Sequence, residues 1–296
     1  MSRLLSARAP GLVPGAGPVP GARRYDLFGA FRRKRVGYAE RVAVVLIGIL
    51  TVALLAAAWI APHSASEIVG TAFTPPSAEV PFGTDSQGRD VFSRVILGLQ
   101  ASWFGALGVI AFGVVFGGAI GLVAGMAGGV IDTILMRLTD AALALPGTLV
   151  ALMVVAALGP SLQNTLIAVA VTWWPWYARI VRGSTRSIVH LPHVDAARLG
   201  GFSKFRLAVV HVLPGSIGPV LVAASLDVGG VLLVLASLSF IGLGSPAPAA
   251  EIGSMAADGL TYLFNAPYIA LAPALALFAV AFIANYAGDA LRELTE

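Results

Sequence analysis

The chain of 296 residues is strongly hydrophobic: 57% of its residues are apolar, 11% are charged, and the mean hydropathy is +0.86. A soluble domain of this size cannot bury so much apolar surface, whereas runs of about 20 apolar residues cross a bilayer as helices. The composition therefore predicts an all-α membrane protein with several spans. The net charge of +4 does not indicate nucleic-acid binding, because the basic residues flank the apolar runs. The absence of cysteine excludes disulfides and thiol chemistry.

Residues 1–41 precede the first apolar run. Their first part is rich in proline and glycine and is predicted to be disordered. Their second part is basic and is predicted to anchor the chain at the membrane surface. A cleavable signal peptide is not expected, because the apolar run begins only at Val42. Residues 42–60 are therefore predicted to be the first span and its own insertion signal.

Residues 61–102 are predicted to be an external loop. Within this loop, the sequence PFGTDSQGRD combines two glycines with two carboxylates and one arginine. This combination predicts a tight turn braced by ion pairs, and we favour that structural role over a substrate site. The residues assigned to the turn are Gly83, Thr84, Asp85, Gly88, Arg89 and Asp90.

Residues 103–290 are predicted to form a core with five further spans, at residues 103–123, 141–158, 165–181, 217–241 and 268–286. The first of these carries Gly113, Gly117 and Gly121, which lie on one helix face and permit the close approach of a neighbouring helix. Before the next span, Arg137 and Asp140 are three residues apart and are expected to pair.

Two polar features lie inside the predicted spans. Asp227 would cost about 2.5–3.5 kcal/mol at the bilayer centre if it faced lipid. It is therefore expected to face the protein interior, a partner helix or water. Such an acid is a functional candidate, and a structural acid near a subunit interface remains the alternative. The sequence WWPWY at 173–177 predicts an interfacial or packing cluster, with a kink at Pro175 that faces a pathway as the alternative.

Residues 182–214 form the most polar segment between two predicted spans. A turn or two of helix is predicted from Asp195 to Leu199, ended by Gly200-Gly201, because glycine readily adopts the left-handed conformation that ends a helix. Ser203 is expected to cap a second piece at residues 204–212, which Pro214 closes from beyond. A short helix with small residues on one side and a glycine hinge beside it suits a socket on another protein. The residues assigned to this docking role are Asp195, Ala196, Ala197, Arg198, Gly201, Lys204, Arg206, His211 and Pro214.

The basic residues predict the orientation. Of the 19 lysines and arginines, all but Arg89 and Arg94 fall on the side of the N-terminus when the chain crosses six times. The positive-inside rule then places both termini, the tail at residues 291–296 and the segment 182–214 in the cytoplasm.

Catalytic motifs are absent from the sequence. No G-x-x-x-x-G-K-[ST] phosphate loop, H-E-x-x-H zinc motif or G-x-S-x-G nucleophile elbow occurs. His190 and His193 lie three residues apart without an obvious third ligand, so no metal site is expected there. The sequence gives no support to an enzyme.

The docking segment and the turn together resemble one known family. The pattern of Asp195-Ala196-Ala197 followed by Gly201 and His211-x-Leu213-Pro214 is similar to the E-A-A-x-x-x-G coupling loop of ABC-transporter permeases, with aspartate in place of the usual glutamate. The GTDSQGRD turn resembles that of C-type permease subunits of dipeptide, oligopeptide and nickel importers. Ile252 stands where this family usually has tryptophan. The matching segments also include LGPSL at 158–162, YAR at 177–179 and SFIGLG at 239–244.

The resemblance implies the ABC importer permease fold, in the bacterial cytoplasmic membrane. It also implies an importer of di- or oligopeptides that contains a second, B-type permease in a heterodimer, one or two ATPase subunits and an extracytoplasmic solute-binding protein. ATP and magnesium (Mg) would be bound by the ATPase subunits, so that this chain would hold no cofactor and catalyse nothing. Nickel or another small solute remains an alternative cargo. An ion-coupled secondary transporter is the alternative of a different class, although Asp227 is the only deeply placed acid and no internal repeat is evident.

Overall fold

The computed structural model describes residues 37–295 of the chain. Within this range the secondary structure consists of helices and turns, with two isolated β-bridges in the segment between residues 68 and 90 and no strand. The predicted disorder and surface anchor at residues 1–36 lie outside the described residues.

Twelve α-helices and two π-helical segments occur in the described range. In chain order they are α1 (Tyr38–Leu55), α2 (Ala57–Ile60), α3 (Val91–Phe112), a π-helical segment (Gly113–Gly117), α4 (Gly118–Ala127), α5 (Gly129–Ala144), α6 (Gly147–Leu158), α7 (Leu162–Ile188), α8 (Pro192–Leu199), α9 (Lys204–Arg206), a second π-helical segment (Leu207–Val212), α10 (Leu213–Phe240), α11 (Ile252–Leu260) and α12 (Tyr268–Thr295). The π-helical segments join their neighbours without a break, so that residues 91–127 and 204–240 each form one continuous helix of 37 residues.

Three helices of the described range are long and apolar enough to cross a membrane: residues 91–127, 204–240 and 268–293. Helices α5 and α6 together are also apolar enough to cross, and they make a fourth crossing if they count as one broken span. The angle between them is 83°. The bend has a local cause. Leu145 is extended ahead of Pro146, as the steric restriction before proline favours. The predicted third span at residues 141–158 is therefore not one straight helix.

The polar loop before the second span is shorter than predicted. Residues 91–102, which we expected in the external loop, form the first three turns of α3. Asp90 caps this helix by accepting hydrogen bonds from the backbone N–H groups of Phe92 and Ser93. We expected Arg94 in the loop because it is charged, whereas its side chain is buried within the first turns of α3.

The segment 182–214 is also more helical than predicted. Residues 182–188 continue α7, and Pro214 does not end the second helical piece. The backbone N–H of Leu213 donates to Ala208, five residues earlier. Pro214 then lies in the first turn of α10, where a proline is tolerated. The predicted tail at residues 291–295 likewise continues α12.

The glycine face of the second span packs against α7. A Cβ atom at Gly117 or Gly121 would collide with the backbone of α7, and at Gly113 it would lie 2.8 Å from the ring of Tyr177. The predicted close helix approach is therefore confirmed, and its partner is α7. Residues 91–127 and α7 run in the same direction, since Gly105 contacts Leu166 and Gly125 contacts Thr185.

A single large apolar cluster joins α3, α7, α10 and α12. Its largest fully buried side chains include Trp103, Tyr177, Leu232 and Leu235. Connections between the helices collect at two opposite ends of this cluster. We call the end that holds residues 83–94 and 242–260 the turn end, and the end that holds residues 126–132 and 182–212 the hinge end.

Candidate functional site

The short helix α8 lies at the hinge end, between α7 and the long helix 204–240. Pro192 occupies its first turn, and the N–H of Gly200 bonds to the carbonyl of Ala196 at its C-terminus. Gly201 has a φ of +81°, a left-handed conformation that glycine adopts without steric cost. The hydroxyl of Ser203 accepts a hydrogen bond from the N–H of Arg206 and caps the next helix. The helix and the glycine stop predicted from the sequence are both present.

The inner side of α8 is anchored to the helix bundle. Val194 is fully buried and packs with Leu207 and Val212 in a small apolar cluster. Met126, at the C-terminal end of α4, and Ile188, at the end of α7, pack against the same cluster. A displacement of α8 would therefore directly change the packing at the C-terminal ends of α4 and α7.

The outer side of α8 and the turn after it is exposed and carries both apolar and basic groups. Leu199 is 90% exposed and Phe205 is 79% exposed. Arg198 pairs with Asp195 on the surface at 2.8 Å. The guanidinium of Arg206 lies 4.4 Å from the ring centre of Phe202. The remaining residues of the predicted docking set on this surface are Ala196, Ala197, Gly201 and Lys204, of which Ala197 is half-buried and the others are exposed.

The histidines of the segment form a different pair from the one considered in the sequence. His193 on α8 faces His211 in the second π-helical segment, with ring centres 6.4 Å apart. His190 is exposed at the surface. The Nε2 atoms of His193 and His211 are buried and have no hydrogen-bond partner in the described part of the chain. The two histidines are separated by 17 intervening residues, so local spacing in the sequence did not predict this contact.

Ion pairs connect α5 to α7 at the hinge end. Asp132 accepts two hydrogen bonds from Arg182, at 2.5 and 2.7 Å, and one from Arg186 at 2.7 Å. Asp140 pairs with Arg179 at 2.7 Å. The predicted pairing of Asp140 with Arg137 is therefore wrong. A partner 39 residues away competes better than the neighbour on the same helix, because α7 lies alongside α5.

The turn end is braced by buried charges. Asp85 pairs with Arg89 at 2.7 Å and with Arg94 at 3.6 Å. Arg94 also donates to the carbonyls of Ala65 at 2.5 Å and Pro248 at 3.0 Å. These contacts join three separate stretches of the chain. The expected pair between Asp85 and Arg89 is present, while Asp90 caps α3 instead of forming an ion pair.

The remaining turn residues also have structural contacts. Gly83 and Gly88 have φ values of +72° and +79°. The hydroxyl of Thr84 donates to the carbonyl of Thr71 at 2.7 Å. These contacts tie the turn to the preceding part of the loop.

Glu251 is a polar residue that sequence reasoning missed. It is 3% exposed, accepts a hydrogen bond from the backbone N–H of Ser245 at 2.5 Å, and accepts another from the hydroxyl of Ser239. It therefore joins the end of α10 to the loop before α11. No motif surrounds it in the sequence, so no local pattern could have identified it.

Asp227 lies in the middle of α10, and its side chain is directed at α7. Its Oδ2 atom accepts a hydrogen bond from the hydroxyl of Tyr177 at 2.8 Å and another from Nε1 of Trp173 at 3.3 Å. Two members of the aromatic cluster thus have a packing role inside the bundle, whereas Trp176 is half-exposed. The acid and the aromatic cluster, treated separately in the sequence, form one site.

Comparison with known proteins places this geometry in a family. Residues 117–294 match the binding-protein-dependent transport system inner membrane component family. The chain is 38% identical to the probable D,D-dipeptide transport system permease protein DdpC of Escherichia coli (strain K12), over 86% of each chain. It is 36% identical to the glutathione transport system permease protein GsiD of Escherichia coli O6:K15:H31, over 91% of this chain and 88% of the relative.

A relative from a third organism and a solved structure agree with this placement. The dipeptide transport system permease protein DppC of Alkalihalophilus pseudofirmus is 36% identical over 87% of this chain and 83% of the relative. A chain of the inward-facing MetNI methionine ABC transporter has the same fold, with a TM-score of 0.54 and 16% identity over 69% of this chain and 98% of that chain. The chain belongs to the family of binding-protein-dependent transport system inner membrane components, and it is an ABC transporter permease.

Proposed function

We propose that this chain is the permease subunit of an ATP-driven importer of di- and oligopeptides, and that it forms half of the translocation pathway. Relatives at 36–38% identity are named for D,D-dipeptides, dipeptides and glutathione, cargoes that share amide-linked amino acids with free charged ends. That shared chemistry supports peptides over nickel or another small solute as the cargo.

The proposed topology has six crossings with both termini in the cytoplasm. The crossings are α1, the continuous helix 91–127, the bent pair α5–α6, α7, the helix 204–240 and α12. The distribution of basic residues supports this orientation, because only Arg89 and Arg94 fall outside. The hinge end then faces the cytoplasm and the turn end faces the exterior.

The proposed coupling element is α8 with the glycine turn after it. One observation supports this most strongly: α8 is held on its inner side by the buried Val194 and presents an exposed outer side that ends in Leu199. Such a helix can sit in a socket of an ATPase subunit and transmit its movement to α4 and α7. Asp195 and its neighbours would supply shape and charge to this joint and would catalyse nothing.

The remaining partners follow from the same proposal. One or two ATPase subunits would bind ATP and magnesium, a second permease of the B-type would supply the other half of the pathway, and an extracytoplasmic binding protein would deliver the peptide to the turn end. The GTDSQGRD turn would act as a rigid brace on that side, since its polar groups are used in contacts within the chain.

Coupling is tested by enlarging the exposed surface of α8. In the complete transporter reconstituted in proteoliposomes, Ala196→Trp is expected to lower peptide uptake about tenfold or more while ATP hydrolysis continues, because the indole blocks the socket without disturbing the buried side of the helix. Ala196→Ser, which adds a single oxygen atom at the same exposed position, is the matched control and is expected to leave uptake unchanged. Equal uptake in the two variants would contradict the proposed role of α8.

A further inference from the structure

Asp227 has one carboxylate oxygen held and one oxygen free. Both hydrogen bonds, from Tyr177 and Trp173, go to Oδ2. The Oδ1 atom accepts no hydrogen bond from residues 37–295 and is not among their buried unpartnered atoms. The side chain itself is partly exposed. The carboxylate is thus held in one orientation with a free acceptor at the protein surface.

No cation of the described chain compensates this carboxylate. Every ion pair among residues 37–295 involves other acids: Glu67, Asp85, Asp132, Asp140 and Asp195. Among residues 37–295, Tyr177 and Trp173 are the side chains that donate hydrogen bonds to Asp227. Acids within a membrane span are almost always paired or face a water-filled cavity. A cation from outside this chain would complete the site.

The surroundings of Asp227 suit an ammonium group. Trp173 is only partly buried and meets the carboxylate through its Nε1–H edge, so the site is accessible to a small cation that approaches beside the indole ring. The donors from Tyr177 and Trp173 set the direction of the carboxylate before any cation arrives. Such preorganisation reduces the cost of binding.

An apolar groove lies further along α10, on the helix face that carries Asp227. Val234 lies seven residues after Asp227, two helical turns or roughly 10 Å further along the axis. From Val234 onward the groove runs between α6 and α10 and has a volume of about 350 Å³, within the range of small-ligand sites. Its lining is mostly aliphatic with two hydroxyls and comprises Thr148, Leu149, Leu152, Leu233, Val234, Ser237, Leu238 and Ile241.

We propose that Asp227, with Trp173 beside it, binds the N-terminal ammonium of a peptide in transit, and that the groove between α6 and α10 receives the remainder of the peptide. An extended chain spans about 3.3–3.6 Å per residue, so that a bound dipeptide ends short of Val234 and a peptide of three or more residues reaches the groove. This inference rests on the proposed peptide cargo and adds a recognition site within the membrane, independent of the binding protein.

A lysine or arginine of the second permease is the competing partner for Oδ1. The ammonium of the cargo is favoured because the acid shares a helix face with a groove of ligand size and lies beside an aromatic ring. A permanent ion pair between subunits would use neither feature. The two assignments predict different results when the charge of Asp227 is removed. If Asp227 pairs with the second permease, its neutralisation would weaken assembly of the complex; if it binds the cargo, assembly would be unchanged.

The test uses the complete transporter in nanodiscs without its binding protein. Equilibrium binding is measured for L-alanyl-L-alanine and for its N-acetyl derivative, which lacks the ammonium. We expect the wild-type complex to bind the free dipeptide about tenfold to a hundredfold more tightly, and Asp227→Asn to bring this ratio close to one. Asp140→Asn, the same change at an acid paired on the surface with Arg179, is expected to keep the wild-type ratio.

Three outcomes overturn the inference: no preference for the free dipeptide in the wild-type complex, an unchanged ratio in Asp227→Asn, or loss of the second permease when that variant is purified. A companion assay separates this inference from the proposed function. With the binding protein added, proteoliposomes of the wild-type transporter are tested for peptide uptake. Uptake together with any of the three outcomes removes only the site at Asp227, whereas absence of uptake of any peptide removes the proposed cargo itself.

Discussion

The two ends of the helix bundle use charged side chains in opposite ways. At the turn end, Arg94 is 4% exposed and bonds to a carboxylate and to carbonyls from two distant loops. At the hinge end, the side chain of Asp132 is itself 7% exposed, but its partners Arg182 and Arg186 are 30% and 48% exposed. Both side chains of the pair between Asp195 and Arg198 are half-exposed. Breaking a buried pair costs several kcal/mol, whereas exposed pairs contribute about 1 kcal/mol or less. The turn end is therefore the more firmly braced of the two, because the arginines of the hinge end can exchange their partners for water.

The difference suits a gate that is driven from one side. In the proposed mechanism, the firmly braced end would keep the helices in register, while the other end would let α8 move with an ATPase subunit. The glycine turns show the same contrast. Gly88 at the turn end and Gly201 at the hinge end have nearly equal φ values, +79° and +81°, yet a Cβ atom at Gly88 would collide with the Gly70 carbonyl and one at Gly201 would meet nothing within 4 Å.

The largest effect is expected from Arg94→Leu. This change leaves the Asp85 carboxylate without one of its two arginines and the carbonyl of Ala65 without its donor. The carbonyl of Pro248 keeps only the longer bond from Arg89, at 3.5 Å. We expect a loss of about 3–5 kcal/mol in the free energy of unfolding, measured as a lower Tm of the purified complex in detergent. Arg186→Leu is the matched control at the hinge end. Similar Tm values for the two variants would remove the contrast between the ends.

A smaller effect is expected from Gly88→Ala. Left-handed backbone strain and the collision with Gly70 together should cost about 2–4 kcal/mol. Gly201→Ala at the same φ should cost only the backbone strain, about 1–2 kcal/mol. Thermal unfolding of both variants separates packing from strain, and a larger loss for Gly201→Ala would show that the hinge end is the more tightly packed of the two.

The smallest effect on stability is expected from Asp132→Asn, which weakens the link between α5 and α7. The Asp132 side chain is 7% exposed, but its partners Arg182 and Arg186 are 30% and 48% exposed and can turn towards water. The loss should therefore be about 1–2 kcal/mol, below that of a fully buried pair. The same Tm assay measures it. A loss as large as that of Arg94→Leu would mean that the hinge end is held as firmly as the turn end.

Local patterns in the sequence predicted the features that depend on neighbouring residues. The glycine stop at Gly201, the cap at Ser203 and the glycine face at 113–121 were all visible in this way. The bend at Pro146 and the inclusion of Pro214 in the first turn of α10 were not predicted. A proline alone does not specify whether a helix bends, ends or continues, because that depends on the hydrogen bonds of the surrounding backbone.

Contacts between distant residues could not be predicted from local spacing. Asp227 and Tyr177 are separated by 50 residues, and Arg94 and Pro248 by 154. Each site therefore became visible only when the helices were packed. The sequence identified Asp227 as a candidate from the cost of a charge in the membrane, but its partners and its free oxygen are properties of the fold.

The central claim is that α8 contacts an ATPase subunit, and site-directed crosslinking tests it most directly. The chain has no cysteine, so Ala196→Cys introduces a single reactive site on the exposed side of α8 and Ala78→Cys introduces one at the turn end. In the assembled transporter, a short thiol-to-amine crosslinker is expected to join the ATPase subunit to the cysteine at position 196 and not to the one at position 78. Crosslinking of the ATPase subunit at position 78, or at neither position, would contradict the account.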